Sequence, residues 1–355
     1  MAAALLAAVL FFPCEVSAVS AKSAVLLDAN TGRVLYEKNV NDRALIASTT
    51  KIMTALIVCE QCNVLDRMEI PREAVGIEGS SMYLKEGEIL TIQELLYGMM
   101  LRSGNDAATA LAIYCGGTVE GFSELMNDKA RKLGMYDTHF SNPHGLDSPD
   151  HYSTAFDLAI LASYAMKNPI FQRTVSTKSM KIGQRYLVNH NKLLWKIDGA
   201  DGVKTGYTKA AGRILVSSAV RDGRRLVAVT VNAPDDWNDH AVLLESGFRN
   251  FHVQSVVNSG EVLDTIAVIG GTDGEVDLIA AEDFSYPLRD DEKITLCVPS
   301  KRFIYAPVKE GDSAGYVYAC LDGVTVGKIP AIYGSTVETK KLPQRSFWER
   351  LFGDN

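Results

Sequence analysis

A serine and a lysine three residues apart, Ser48 and Lys51, open the apolar stretch Ile52-Met53-Thr54-Ala55-Leu56. On a helix, positions three apart share one face and lie about one turn from each other. A serine hydroxyl attacks poorly until a neighbouring base takes its proton. A lysine amine can be that base only if burial and nearby positive charge lower its pKa from about 10.4 toward neutrality. A helix start adds unpaired backbone N–H groups, which favour a developing negative charge. The same spacing also suits an N-cap serine followed by a surface lysine. Two more short motifs follow: Ser103-Gly104-Asn105 and Lys204-Thr205-Gly206.

The elements that must position these groups are legible in periodicity and turn chemistry. Residues 23–28 and 33–37 are apolar runs joined through Ala29-Asn30-Thr31-Gly32, a hairpin signal. The Ser48 helix is expected to run to about Glu60. Residues 71–88 read as a loop containing Gly76, Gly79 and Gly87. Thr91-Ile92-Gln93-Glu94 is a capping-box pattern that opens a helix through Leu101. Arg102-Ser103-Gly104-Asn105-Asp106 then breaks the periodicity, which resumes over 107–115. A further helix is expected over 118–133, stopped by Gly134. After a long loop (138–151), Ser153 is expected to cap a helix to about Lys167, ended before Pro169. From 178 to 231 the pattern is of strands, and residues 237–248 read as a last helix. Strands first, helices in the middle and strands last predict an α+β domain with an antiparallel sheet built from both ends of the segment.

At 355 residues the chain is expected to hold two domains and to bury a sizeable core. Its net charge of −7 and lack of a basic cluster with interleaved aromatics argue against a nucleic-acid partner. Residues 1–21 read as a signal peptide: an apolar run from Ala2 to Pro13, then small residues at Ser17-Ala18 and Ser20-Ala21. The expected organisation is therefore leader 1–21, main domain 22–252, small all-β domain 253–336 and tail 337–355. The protein is expected to be exported, to the outer face of the cytoplasmic membrane or the cell-wall space. In the β domain, strands are expected over 262–269, 276–280, 293–298, 315–320 and 324–329. In the tail, Phe347, Trp348, Leu351 and Phe352 share one helical face beside Arg345 and Arg350. That pattern suits membrane-surface contact, with packing or fraying as the alternatives.

Beyond the leader the cysteines are Cys59, Cys62, Cys115, Cys297 and Cys320. An odd number spread thinly is no disulfide framework. Cys59 and Cys62 read as buried thiols, with a disulfide or a metal site as less favoured alternatives. His144, His151, Asp147 and Asp150 fit no standard metal-ligand spacing and read as residues that order their loop by hydrogen bonds.

With Ser48-Thr49-Thr50-Lys51 on a helix start, Ser103-Gly104-Asn105 in a helix–helix turn and Lys204-Thr205-Gly206 on a strand, the order of motifs is specific. The sequence resembles the penicillin-recognising serine enzymes. More narrowly, it is similar to the low-molecular-weight penicillin-binding proteins that are D-alanyl-D-alanine carboxypeptidases. The likeness covers about 23–248. It includes Asn142-Pro143-His144-Gly145-Leu146-Asp147, Asn189-His190-Asn191 and the run from Gly202 to Thr208.

The resemblance implies a β-lactamase/transpeptidase-like fold followed by a β domain. It implies that Ser48 attacks the carbonyl between the two terminal D-alanines of a peptidoglycan stem peptide, with Lys51 as base. Ser103 and Asn105 would relay a proton to the leaving D-Ala and hold the substrate backbone. Lys204 and Thr205 would bind the terminal carboxylate, and Gly206 would leave room for substrate beside the strand. The backbone N–H groups of Ser48 and Tyr207 would form the oxyanion hole. β-Lactams would be covalent inhibitors, and the family's chemistry needs no metal or organic cofactor.

Many such carboxypeptidases carry an arginine just before the last helix. Here Ala233-Pro234-Asp235-Asp236-Trp237-Asn238-Asp239-His240 has none, and carboxylate recognition is then expected to lean more on Lys204, Thr205 and Arg213. A β-lactamase would need a glutamate for fast deacylation. Between Asn105 and Lys204 the only glutamates are Glu120 and Glu124, neither in an E-x-x-L-N pattern. An endopeptidase and a non-catalytic penicillin sensor are the remaining alternatives on the same fold.

Overall fold

The computed structural model describes residues 19–299 and 303–341. Most of the predicted leader, and Phe347, Trp348, Leu351 and Phe352 of the tail, lie outside the described residues. The chain divides into two compact units after Arg249.

The first unit begins with the expected hairpin, β1 (Ser23–Asp28) and β2 (Val34–Lys38). A short 3-10 turn, Ala47–Thr50, leads into α1 (Lys51–Gln61). β3 (Arg67–Glu69) and β4 (Ile89–Thr91) pair across the loop region. At three residues each, they are too short to show alternation in the sequence. α2 (Ile92–Leu101) starts on Thr91, and both halves of the predicted capping box are formed with Glu94. α3 (Asn105–Gly116) and α4 (Val119–Lys132) follow. α5 (Ala155–Ala165) is capped by Thr154, not by Ser153 as the sequence suggested: Thr154 Oγ1 accepts from Asp157 N at 3.0 Å. α5 ends before Pro169, as expected, and Pro169 itself begins a further helix, α6 (Pro169–Ser176), with Asn168 as the cap. Proline lacks an N–H that the first helical turn does not use, so it suits a start as well as a stop.

β5 (Ser179–Ile182) and β6 (Arg185–Val188) form a second hairpin, followed by the short α7 (Leu193–Lys196). β7 (Ala200–Thr208), β8 (Gly212–Arg221) and β9 (Arg224–Val231) complete the main sheet before α8 (Asp236–Asn250). The sheet order is β2-β1-β9-β8-β7, all antiparallel. This is the assembly from both chain ends that the element order implied.

Period-two alternation divides β1 between two cores. Val25 and Leu27 join the large core shared with the first six helices, while Ala24 and Leu26 join a second core with Leu243 and Leu244 of α8. Both faces of the sheet are covered, so every residue of β1 is buried. Each such aliphatic side chain contributes about 1.5–3 kcal/mol. The arrangement leaves β7 at the open edge of the sheet, with Lys204, Thr205 and Gly206 on it.

One expectation about the cysteines is corrected. Cys62 is joined to Cys115, while Cys59 is a buried free thiol. The sequence pointed to no pairing because the partner stands 53 residues away, at the end of another helix.

Among its described residues from His252 onward, the second unit is all-β. It consists of β10 (His252–Val257), β11 (Val262–Ile269), β12 (Glu275–Ala280), β13 (Phe284–Leu288), β14 (Ile294–Cys297), β15 (Phe303–Tyr305), β16 (Ser313–Leu321) and β17 (Val324–Tyr333). Its six-stranded sheet runs β14-β16-β17-β12-β11-β15, beside the β10–β13 pair. The five strands read from the sequence are present. β10, β13 and β15 escaped it because β10 is mostly exposed, β13 contains Pro287 and β15 has three residues.

Candidate active site

Ser48 is the one residue between Ile46 and Cys59 that is not buried. It sits on the 3-10 turn rather than inside α1, and Ala47 before it takes a φ of 45°, a left-handed value. Gly145, with a φ of 89°, lies against this turn: a Cβ there would run into the Ala47 carbonyl oxygen. The loop around it is tied down by His151. The Ser141 N–H donates to His151 Nδ1 (3.1 Å), so the proton of the neutral ring is on Nε2, which lies 2.7 Å from Thr50 Oγ1. Thr50 in turn donates to the Ala47 carbonyl at 2.8 Å. Burial pushes the His151 pKa down to about 4, which keeps the ring neutral. The expected loop-ordering role of these histidines is what the geometry displays.

Lys51 is fully buried, and its Nζ lies at hydrogen-bond distance from Ser48 Oγ (3.1 Å), Asn105 Oδ1 (2.6 Å) and the His144 carbonyl oxygen (2.6 Å). Asn105 begins α3, and its amide is oriented because its Nδ2 donates to the Glu78 carbonyl at 2.6 Å. Desolvation, then the charge of Lys204, holds the Lys51 pKa well below that of an ordinary ammonium; Asp106 opposes the shift.

Lys204 on β7 is 1% exposed and donates to Ser103 Oγ (3.1 Å) and to the Thr205 carbonyl (2.9 Å). Burial lowers its pKa to about 7. Gly206 passes so close to the turn that a Cβ would lie 3.2 Å from Ser48 N and from the Ile46 carbonyl oxygen. A side chain there would push on the turn that carries the serine, so glycine suits the close approach of the edge strand.

These groups meet at a cavity of roughly 350 Å³. Ser48, Ser103, Thr205, Gly206 and Tyr207 line it, while Lys51, Asn105 and Lys204 lie buried behind that lining. All eight residues singled out by sequence therefore converge on one cleft. The cavity is also lined by Ser80, Lys192, Asp236 and Trp237, which no motif marked, and by His190 and Arg213. Arg213 is directly opposite Tyr207 across β7 and β8, and Asp236 Oδ1 accepts from its Nε (3.1 Å) and Nη2 (2.8 Å). Asp236 belongs to the N-terminus of a helix far along the chain, so only the fold could reveal the pair.

A hydroxyl beside a buried, depressed-pKa amine, facing a second hydroxyl–amine pair, is the working layout of a serine peptidase with a lysine base. Residues 12–235 match the family model described as D-alanyl-D-alanine carboxypeptidase, and residues 251–339 match that of the penicillin-binding protein 5 C-terminal domain. The chain belongs to the D-alanyl-D-alanine carboxypeptidase family of serine peptidases. It is 33% identical over 350 residues to the D-alanyl-D-alanine carboxypeptidase DacF of Bacillus subtilis, covering 94% of this chain and 90% of the relative. It is likewise 33% identical to DacC of Escherichia coli, with 91% and 86% covered. The crystal structure of penicillin binding protein 5 from Haemophilus influenzae superposes with a TM-score of 0.79 at 29% identity, covering 91% of this chain and 98% of that one. The fold class read from the sequence, a penicillin-binding domain followed by a β domain, is that of these relatives.

Proposed function

We propose that the chain removes the terminal D-alanine from peptidoglycan stem peptides through an acyl-enzyme on Ser48. The observation that carries this reading is the set of partners around Lys51. A neutral amine has two N–H groups and one lone pair. With Asn105 Oδ1 and the His144 carbonyl taking the N–H groups, the lone pair is left for the Ser48 proton. Ser48 Oγ then attacks the carbonyl between the two D-alanines, and its proton passes to Lys51. The backbone N–H groups of Ser48 and Tyr207 receive the oxyanion; losing one such donor costs about 10²–10³ in rate. Ser103, hydrogen-bonded to Lys204, relays the proton taken up by Lys51 to the departing amine, which leaves as D-alanine. Water then cleaves the ester and frees the serine.

The leaving D-alanine ends in a carboxylate, for which the cleft offers Lys204, the Thr205 hydroxyl and Arg213. Arg213 is aimed by Asp236, and its planar guanidinium suits a carboxylate, which supports a preference for a free C-terminus over a cross-link. β-Lactams enter as acylating analogues of the same substrate. Glu120 and Glu124 both stand on α4 and neither lines the cavity, which supports slow release of the penicilloyl group rather than β-lactamase turnover.

The test is intact-mass analysis after benzylpenicillin together with D-Ala release from a pentapeptide, on wild type, Ser48→Ala and Arg213→Gln. One adduct and D-Ala release are expected for wild type, and neither for Ser48→Ala. Arg213→Gln should raise KM for the peptide about tenfold with kcat nearly held. Rapid turnover of penicillin, or labelling without any D-Ala release, would replace this reading with a β-lactamase or a sensor.

The apolar run before Pro13 and the small residues after it support export, with the substrate's location outside the membrane in agreement. The aromatic face of the tail at Phe347, Trp348, Leu351 and Phe352 supports a contact with the membrane surface.

A further inference from the structure

Among the described residues, seven that are not glycine have a positive φ: Asn39, Ala47, Tyr83, Ser103, Asp222, Asn232 and Asp322. Asn and Asp tolerate the left-handed region because their short polar side chains bond locally. Of the other three, Ala47 adjoins Ser48, and Ser103 (φ 61°) accepts from Lys204. The third is Tyr83, at φ 59°. A bulky residue there is a true outlier, and such strain persists only where the surroundings enforce it.

The enforcement is visible on both sides of Tyr83. Asp106, the buried neighbour of Asn105, accepts from Ser81 Oγ (2.6 Å), Met82 N (3.1 Å) and Leu84 N (3.1 Å). Arg185 donates to the carbonyls of Met82 (2.7 Å) and Tyr83 (2.9 Å), and is itself held by Glu88 at 2.6 and 2.7 Å. The same loop lines the cleft with Ser80 and orients Asn105 through the Glu78 and Ser80 carbonyls. Yet the Tyr83 side that all this presents is 79% exposed. A ring left in water adds nothing to folding, so neither packing nor turn chemistry accounts for a tyrosine in this conformation.

We propose that Tyr83 is a specificity residue: an aromatic platform, on the loop whose Ser80 lines the cleft, that packs against the apolar part of the acyl donor. The C-terminal end of a substrate is enclosed by Lys204, Thr205 and Arg213, so the portion that crosses the rim is the part remote from that end. Tyr207, 67% exposed on β7, is an aromatic residue of the cleft lining. The inference rests on Ser48 being the acylated residue, and it concerns recognition rather than the chemical step.

The experiment compares acylation of Ser48 by benzylpenicillin, which carries an aromatic side chain, and by 6-aminopenicillanic acid, which carries none. The variants are Tyr83→Ala, Tyr83→Gly and Tyr83→Phe in the full chain. Glycine adopts this φ freely, so Tyr83→Gly removes the ring while relieving the backbone and should melt no lower than wild type. Benzylpenicillin acylation should slow about 5- to 10-fold in the Ala and Gly variants and less than about twofold in Phe. With 6-aminopenicillanic acid all three should stay within about twofold of wild type. Equal losses with both penams, or a Phe variant as slow as Ala, would overturn the proposal. D-Ala release by wild type is read in parallel: its absence with acylation intact removes the carboxypeptidase reading and leaves the platform standing. A wild type that penicillin does not acylate removes both.

Discussion

Lys51 and Lys204 are both buried in the folded state, and each is held below the ordinary lysine pKa. The unfolded chain binds those protons up to a pH of about 10.5, whereas folded Lys204 gives its proton up near 7. Between these values the unfolded state holds more protons, so stability rises with pH through that window and is lowest below it. Replacing Lys204 by Met should therefore raise the unfolding free energy at pH 7 while removing activity. It should also flatten the pH slope of stability by about 1.4 kcal/mol per unit. Urea titrations of both proteins from pH 7 to 10 read this out, and parallel curves would mean that Lys204 is not depressed by burial. At this scale the sequence was informative about identity but not about state. It named two lysines; that one has its N–H groups occupied by Asn105 and the His144 carbonyl is a property of three separate segments.

At the scale of elements, α1 and α3 both start at the cleft, with Lys51 and Asn105, and both end at the Cys62–Cys115 bond. They therefore run side by side in the same direction, joined at one end by a hydrogen bond and at the other by a covalent one. Closing a loop of this size in the unfolded chain is worth about 4 kcal/mol in the chain-entropy account. The double variant Cys62→Ser/Cys115→Ser should lose up to about that much stability. It should also acylate more slowly, because α3 can then shift against α1 and displace Asn105. Reductant should bring wild type to the same values and leave the variant unchanged; a reductant effect that persists in the variant would assign the loss to another cysteine. Local signals in the sequence located elements well where the chemistry was local, as with the Thr91–Glu94 capping box. They were ambiguous where one residue serves two ends, as with Pro169.

Across the whole molecule, the start of the folded body bears on processing. Val19 and Ala21 are buried, and Ser20 N, Ser20 Oγ and Ala21 N all donate to the Asp239 carboxylate, at 2.8, 2.8 and 3.2 Å. Cleavage after Ala21, one of the two small-residue sites in the sequence, would remove this anchor from α8. We therefore propose cleavage after Ala18, the other such site. Processing at that site would give a mass that begins at Val19; a chain beginning at Lys22 would refute this. The proposed boundary depends on contacts between residues more than two hundred positions apart, which no local pattern contains.

The sequence by itself determined the chemistry and the family: the residue types, their spacing, their order and the hydrophobic periods are all written along one chain, and short-range spacing sets which groups share a helix face or a strand. Tertiary structure alone decided which groups face one another. The depressed amines, the Arg213–Asp236 pair, the Cys62–Cys115 bond and the strained Tyr83 arise from desolvation and contact between distant segments. Those quantities depend on the surroundings in space, which one-dimensional spacing does not encode.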